Sequence, residues 1–386
     1  MPNSINQDSM RNLNLKLTLQ YLFNHPDTSR IEIAKQLSLN KSTISSLFNE
    51  LNTRGYITEM GQGSSTETGG RKPTLIRFNH NYGYTVNFEL GHHHLRMMIN
   101  WLSGEKIKFS SIPVMDMDIY EIVDIMKQSI REINIPSAMN GLMGISIAIN
   151  GIVSNNTILD SPFIDMKNVD LVKELQEFNV LVVLENEANL AAIASRDFTS
   201  KNQIDNLIAL NIHNGIGAGI VINGLLYRGE DGEAGEIGRT LYFSNEKTAK
   251  TQPIETLYSE DAIISKFGNL KHLSNMDRDH FLEYYRADDK ISHQIMDEFI
   301  RATAYILFNI SRSFSPTVIY LQSRIIGEMP NLLDDIKEQY IDLTNIEIKT
   351  HIKLSSMIED APLYGGASLI THQVLGLTKY QLNFNN

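Results

Sequence analysis

Between Tyr82 and Leu354 the chain passes twice through one order of predicted elements, and that repetition limits its fold more than any other feature. The first pass opens with three consecutive strands and short turns, at Gly83–Leu90, His94–Trp101 and Lys106–Val114. A helix over Asp118–Asn134, a buried strand at Leu142–Ile149, a helix over Leu171–Phe178, a strand at Val180–Leu184 and a helix over Glu187–Phe198 complete it. The second pass restarts with Leu207–Ile212, Gly217–Ile222 and Leu225–Arg228 as strand, strand and turn. Helices over about Ile254–Phe267, Asp279–Tyr285 and Ser292–Ser313 come next, then strand Val318–Leu321, helix Asn331–Tyr340 and strand Glu347–Leu354. Mixed sheets and amphipathic helices met twice in one order predict two related α/β lobes with a cleft between them. The repetition lies in the element order, with little self-similarity between the residues themselves.

Length and charge add a third part. The chain has 386 residues, of which 42% are hydrophobic, enough for two or three domains with large cores. Its net charge is −11, yet residues 1–80 hold nine Lys/Arg against six Asp/Glu, a net +3 that leaves −14 on the remainder. A mildly basic head on an acidic body predicts that any polyanion is met by the head. The chain has no cysteine, which excludes disulfides, thiolate zinc sites and cysteine nucleophiles. Met1–Ser9 lacks the apolar core of a signal peptide, and no apolar run approaches the ~20 residues of a membrane span. A cytoplasmic protein is expected.

The head carries a specific pattern. Met10–Asn24 has Leu13, Leu17, Leu19, Leu22 and Phe23 at roughly helical spacing, and His25-Pro26-Asp27 stops it. Ser29-Arg30-Ile31-Glu32 reads as a capping box, and Ile31, Ala34 and Leu37 supply one apolar stripe to the short helix behind it. Ser38-Leu39-Asn40 breaks the chain, Asn40 can cap again, and a third helix runs from about Lys41 to Arg54. Ile44, Leu47, Phe48 and Leu51 of that helix face inward, while Lys41, Ser42, Thr43, Ser45 and Ser46 face out from its opening turns. Two short helices across a tight turn, the second opening on small polar and basic residues, form the helix-turn-helix pattern. Small side chains let the helix approach the major groove, and hydroxyls, the helix N-terminus and Lys41 suit phosphate oxygens. The alternative is a three-helix bundle with a solvated polar face.

The segment behind the third helix favours DNA. Gly55–Glu59 and Thr74–Phe78 read as paired strands around a polar, glycine-rich loop that ends Gly69-Gly70-Arg71-Lys72-Pro73. This is the wing of a winged helix. Its tip, with Arg71 and Lys72, can enter a narrow minor groove where the negative potential is deepest.

In the body, Glu185-Asn186-Glu187-Ala188-Asn189 stands where a strand gives way to a helix. Carboxylates and amides there can bind vicinal hydroxyls, or they can form a plain N-cap with an acidic first turn; both readings stand. Gly215-Ile216-Gly217-Ala218-Gly219 permits a tight hairpin or close phosphate approach, and Gly229–Arg239 places Glu236 and Arg239 on a glycine-flanked turn. Glu255 opens a helix shortly after. His92-His93-His94 lies at a hairpin turn, where three adjacent histidines cannot point one way, so a surface turn is expected and no metal site.

Taken together, these residues resemble the ROK family (repressors, open reading frames and sugar kinases), and the winged head places the likeness with its transcriptional repressors, of the xylose-repressor type. The resemblance covers essentially the whole chain. Its most specific pieces are Lys41-Ser42-Thr43-Ile44-Ser45, Gly69-Gly70-Arg71-Lys72-Pro73, Glu185-Asn186-Glu187-Ala188-Asn189, and Leu225-Leu226-Tyr227-Arg228-Gly229 leading into Gly235-Glu236-Ile237-Gly238. It implies an α/β chain with an N-terminal winged helix-turn-helix, residues 1–80, followed by a two-lobed actin-like (ribonuclease H-like, sugar-kinase-type) body. Lobe I would span 81–200, with 366–386 returning to it, and lobe II 201–365, with the effector cleft and dimerisation. The implied partners are a double-stranded DNA operator, a small carbohydrate effector and a second copy of the chain, with pairing into tetramers left open. Carried over position by position, the sugar-contacting set is Asn186, Glu187, Glu236 and Glu255.

The departures from the family pattern matter as much. Kinases of the family grip ATP with an Asp-x-Gly-Gly-Thr loop, where this chain has Glu89-Leu90-Gly91-His92-His93. Their second loop, Gly-Thr-Gly-x-Gly, reads His213-Asn214-Gly215-Ile216-Gly217, and the adenine-side glycines are replaced by Gln322-Ser323-Arg324. Side chains added to a phosphate cradle block backbone approach, and Glu187 for aspartate moves a carboxylate by roughly 1.5 Å. A non-enzyme is therefore expected. The family's zinc motif is missing, so no cofactor is expected; Arg239 stands at its histidine position, and Lys247–Pro253 roughly replaces its cysteines. Arg239 paired to a nearby carboxylate would then hold the loop of the ligand set in place of zinc. An asparagine and a tryptophan of the family's sugar loop align with Phe163 and Met166. The reading that results is a dimeric, sugar-responsive repressor. A sugar kinase with a DNA-binding head, and a DNA-binding dimer that has lost its sugar response, are the alternatives.

Overall fold

The computed structural model describes residues 7–63, 72–91, 93–199, 204–242, 251–343 and 349–384. At the N-terminus, α1 (Gln7–Asn24) ends before Pro26, β1 (Thr28–Ser29) comes next, and α2 (Arg30–Gln36) and α3 (Lys41–Thr53) are joined across Ser38, which takes positive φ. Ser29 caps α2, its hydroxyl accepting from the Glu32 N–H at 3.2 Å. The Glu32 carboxylate accepts from the Thr28 hydroxyl at 3.2 Å. The stripe expected at Ile31 is corrected: Ile31 is exposed and Ile33 is buried, because Ile33 and Leu37 share a face of a helix that starts at Arg30. Leu22, Ile33, Leu47, Leu51 and Ile76 form the buried centre of this region, each worth roughly 1.5–3 kcal/mol on burial. Strands β2 (Ile57–Gln62) and β3 (Thr74–Phe78) make an antiparallel hairpin, and β1 adds to β3, a pairing too short to show as a pattern in the sequence. The hairpin tip, Arg71 included, lies outside the described residues.

The chain divides into two units: Met1–Gly151 with Asn156–Glu185 and Gly366–Asn386, and Ile152–Asn155 with Asn186–Gly365. In the first, β4 (Tyr84–Leu90), β5 (His94–Trp101) and β6 (Lys106–Pro113) form antiparallel neighbours. Helix α4 (Ile119–Arg131) is held by a reciprocal cap between Asp118 and Glu121. Strand β7 (Leu142–Ile149) runs parallel to β4. After β8 (Ile152–Ser154), which belongs to the second unit, come β9 (Thr157–Asp160), α5 (Leu171–Glu174) and a 3-10 turn at Leu175–Phe178, and β10 (Leu181–Asn186) completes the sheet order β10-β7-β4-β5-β6.

In the second unit α6 (Glu187–Phe198) precedes β11 (Leu207–Ile212), β12 (Ile216–Ile222) and β13 (Leu225–Leu226), again antiparallel neighbours. Short strands β14 (Leu241–Tyr242) and β15 (Gln252–Pro253) pair, and α7 (Glu255–Tyr258), α8 (Glu260–Lys271), α9 (Arg278–Arg286) and α10 (Lys290–Phe314) come after them. The single helix expected over Ile254–Phe267 is broken at Ser259, which adopts an extended conformation and caps α8. Strand β16 (Val318–Gln322), helices α11 (Arg324–Glu328) and α12 (Leu332–Asp342) and strand β17 (His351–Leu354) give the order β13-β12-β11-β16-β17. Numbered by appearance within each unit, both sheets run fifth, fourth, first, second, third, so the repeated element order is a repeated topology.

One boundary within the body differs from expectation and one agrees. Helix α6 packs with the second unit, so the division falls at Asn186 and not at 200: a Cβ on Gly219 of β12 would lie 2.0 Å from the Ala188 carbonyl oxygen, a contact only glycine permits. Helix α13 (Ala361–Val374) was not expected, but the division crosses it between Gly365 and Gly366, where the chain was expected to return to the first lobe. In the first unit, a Cβ on Gly366 would meet Ser146 Oγ at 2.0 Å. The last residues of the first unit tie its N-terminal helices down. Gln20 and Asn24 side-chain amides donate to the Gln381 carbonyl at 2.8 and 3.0 Å, the Asn383 N–H donates to Asn24 Oδ1 at 2.8 Å, and Phe384 packs edge-on to Phe23 at 5.0 Å. Among the described residues no helix is long and apolar enough to cross a membrane.

Candidate functional sites

The first candidate surface is the opening of α3. Asn40 caps it, its Oδ1 accepting from the Thr43 N–H at 2.8 Å and from the Ser42 hydroxyl at 2.7 Å. The Ser45 hydroxyl donates to the Lys41 carbonyl at 2.8 Å. Ser42 and Ser45 thus direct their hydroxyl protons to their own helix, and offer partners only their lone pairs. Lys41, Ser42 and Ser46 are exposed, and Thr43 and Ser45 half-buried. Glu50 pairs with both Arg11 and Arg54, and Asp27 with Arg77 at 2.6 Å. The Arg30 guanidinium stacks 3.3 Å from the centre of the Phe48 ring. Among the described residues Lys35, Lys41 and Lys72 are exposed cations for which no ion pair is seen, and of these Lys41 stands at the opening of α3 and Lys72 at the wing.

The second candidate surface lies within the second unit, around the first half of β12. Asn186 caps α6, its Oδ1 accepting from the N–H groups of Ala188 and Asn189 at 2.8 and 3.1 Å, so the N-cap reading of this stretch holds. Glu187, half-buried, opens the first turn, at the positive end of the helix dipole. A Cβ on Gly217 would meet Ala188 Cβ at 3.4 Å, which brings this helix start against β12. On the other side of the strand, the Ala218 N–H donates to the Gly235 carbonyl at 2.9 Å, and Glu236 is the next residue. Gly235 sits at φ +94°, and a Cβ there would lie 1.8 Å from the Ala218 carbonyl oxygen. Glu236 Oε2 and Arg239 Nε pair at 2.9 Å, the carboxylate partner that Arg239 was expected to find. Glu255 Oε2 accepts from the Ile216 N–H at 3.2 Å and lies 2.3 Å from where a Gly238 Cβ would be. The start of α6, the turn behind Gly235 that carries Glu236 and Arg239, and Glu255 thus all approach β12, through close contacts at Gly217, Gly235 and Gly238. With no cysteine in the chain and Arg239 at the histidine position, the donor set does not fit a zinc ion.

Sequence reasoning missed a buried network beside this strand. Glu260, 4% exposed, accepts from the Ser323 hydroxyl at 2.6 Å and the Ile325 N–H at 3.0 Å, and its other oxygen lies 3.9 Å from His213 Nδ1. Burial pushes its carboxyl up, but the His213 imidazole, the Ser323 hydroxyl and the Ile325 N–H outweigh that and hold it below the usual carboxylate range. In sequence Glu260 falls inside the single helix expected over about Ile254–Phe267 and carries no signal of its own.

Comparisons with known proteins bear on the family. The model of the ROK family matches residues 85–373. The xylose repressor of Lactiplantibacillus pentosus is 41% identical over 383 residues, covering 99% of this chain and 98% of its own. The crystal structure of a ROK family transcriptional regulator, a homologue of the E. coli MLC protein, superposes with a TM-score of 0.79 at 20% identity, covering 96% of this chain and 98% of that one. A ROK family glucokinase from Streptomyces griseus, solved with glucose and AMPPNP, gives 0.63 at 20% identity, covering 74% of this chain and 99% of that one. The last two bear on the fold alone and assign the body the sugar-kinase, actin-like class. The family match over most of the length, joined to a full-length relative of this identity, establishes that the chain belongs to the ROK family.

Proposed function

We propose that this chain is a dimeric transcriptional repressor that holds an operator in duplex DNA through a winged helix-turn-helix at residues 1–80 and responds to a small sugar bound in the second unit, with D-xylose the first candidate. The observation that carries the reading is the full-length relationship to a protein named xylose repressor, which extends through the N-terminal helices as well as the body. The capped, exposed N-terminus of α3 and the hairpin behind it supply what major-groove and minor-groove contact require, with Lys41, Ser42, Thr43, Ser45 and Ser46 on the helix and Arg71 and Lys72 at the wing. In a dimer, two such helices would meet half-sites ~34 Å apart or a multiple of that. Asn186, Glu187, Glu236 and Glu255 are the groups proposed to meet sugar hydroxyls, with Arg239 holding Glu236 in place and no metal required.

The body serves as a sensor and not as a kinase. Gln322 and Ser323, 1% and 0% exposed, fill positions at which the family's kinases carry glycine, and Ser323 is engaged by Glu260. One experiment tests both halves of the reading: operator retention by the full chain, with and without D-xylose. Lys41→Ala is expected to weaken retention and lower the salt slope by about one unit. Glu187→Gln is expected to keep operator affinity and lose the response to sugar. Retention unchanged by Lys41→Ala counts against the helix, and a sugar response that survives Glu187→Gln places the ligand elsewhere. Phosphate transfer from ATP to a sugar near one turnover per second would overturn the sensor assignment.

A further inference from the structure

Strands β11 and β16 each end on a buried amide. Their registers pair Asn211 with Gln322, and Asn211 also with Gly217 of β12. Along β11, Leu207 and Ala209 pack into one apolar cluster with Ala191, Ala192 and Ala361, and along β16 Val318 and Tyr320 join the same cluster. By strand alternation Asn211 and Gln322 continue that face. The same face carries Gly217, against Ala188, so the two amides lie beside the first turn of α6, next to Asn186 and Glu187.

These amides are 5% and 1% exposed, and among the described residues Asn211 Oδ1 and both Gln322 Oε1 and Nε2 have no hydrogen-bond partner. Folded proteins rarely leave such groups unmatched, and one that does so at the carboxyl end of parallel strands, beside a helix N-terminus, has the makings of a binding surface. The missing partners must donate to two carbonyl oxygens and accept from an NH2 group. A hydroxyl does both, a carboxylate or phosphate only accepts, and the Glu260 carboxylate, bound to the adjacent Ser323, disfavours an anion.

We propose that Asn211 and Gln322 are the polar floor of the effector site, binding adjacent hydroxyls of a neutral polyol. The assignment rests on the sugar-responsive reading above and adds to it two contact residues that belong to neither the helix cap nor the glycine-flanked turn. Gln322 is the centre of the site, since both ends of its amide are open.

The test uses the full chain, D-xylose and an operator fragment. Gln322→Met keeps length and removes the amide. Its unliganded melting temperature is expected to stay level or rise, while release from the operator needs at least tenfold more D-xylose. Asn211→Val on the neighbouring strand gives the same pair of readouts should Gln322→Met fail to fold. Release at the wild-type sugar concentration overturns the proposal and leaves the amides facing water only. A fall in stability with an unchanged sugar response also overturns it, in favour of a packing role. Absence of any sugar response in the wild-type chain removes the underlying reading, an outcome visible before either variant is made.

Discussion

The two five-stranded sheets share one strand order, and both bury amides on their first and fourth strands or next to them, yet the amides live differently. In the first unit Asn87 of β4 donates to Thr85 Oγ1 at 2.9 Å and to Asn100 Oδ1 at 3.0 Å, and accepts from the Ser146 hydroxyl of β7 at 2.8 Å. Asn100 in turn donates to the Gly104 carbonyl at 3.0 Å. In the second unit Asn211 and Gln322, on the matching first and fourth strands, have none of this. A satisfied network fixes one arrangement of a core, whereas an unsatisfied pair costs stability unless something outside the chain completes it. One sheet is finished by its own residues, and the other leaves two amides open, which the proposed polyol would complete.

The largest expected effect breaks the finished side. Asn87→Leu would strand Asn100, Thr85 and Ser146 in a site where Asn87 is 0% exposed, and about 3 kcal/mol of the first unit's stability should be lost. Denaturant unfolding followed by the near-ultraviolet signal of Trp101, on the neighbouring strand β5, measures it. A loss near zero would mean that the network is incidental and that the contrast between the sheets has no energetic content.

A smaller effect concerns a buried carboxylate of the second unit. Glu260 is buried and accepts through one oxygen from the Ser323 hydroxyl and the Ile325 N–H. Its carboxyl is held below the usual range, so its contribution is complete above the unfolded value near 4.5 and is lost as pH falls through the lower native value. Glu260→Gln should cost about 2 kcal/mol at neutral pH and make unfolding less steep below pH ~4.5. Identical acid branches in the two proteins would show that the Ser323 and Ile325 contacts do not stabilise the ionised form.

Local signals made the N-terminal region legible. Caps at Ser29 and Asn40, the spacing of Ile44, Leu47, Phe48 and Leu51, and Pro26 after α1 are each decided within a few residues, and the structure bears them out. The succession of strands and helices along the body was legible for the same reason. What escaped depends on residues distant in sequence. Helix α13 was not expected, and only the closeness of Leu190 and Ser146, at 1.9 and 2.0 Å from the two missing Cβ atoms, explains why Gly365 and Gly366 occupy a helix there. Asn186, Glu187, Glu236 and Glu255 were found through the family pattern, but their meeting around β12 is the work of Gly217, Gly235 and Gly238. Whether Asn87 or Asn211 is satisfied cannot be read from either strand, since both are single amides in apolar runs and the answer lies across the sheet.

The smallest expected effect is the sharpest for the comparison, because it is a difference of differences. Asn211 and Gln322 are register partners that make no hydrogen bond to each other, so their removal should be additive: a cycle of Asn211→Val, Gln322→Met and the double variant should show a coupling within about 0.5 kcal/mol of zero in the unliganded protein. The corresponding cycle in the first unit, Asn87→Leu with Ser146→Ala, removes two groups joined at 2.8 Å and should couple by about 1 kcal/mol. Repeated in saturating D-xylose, the first cycle should acquire a coupling it lacked, since a polyol bound to both amides links them, while the second should not change. A coupling in the first cycle already present without sugar would mean that the amides bond each other in solution, and the two sheets would then be finished in the same way.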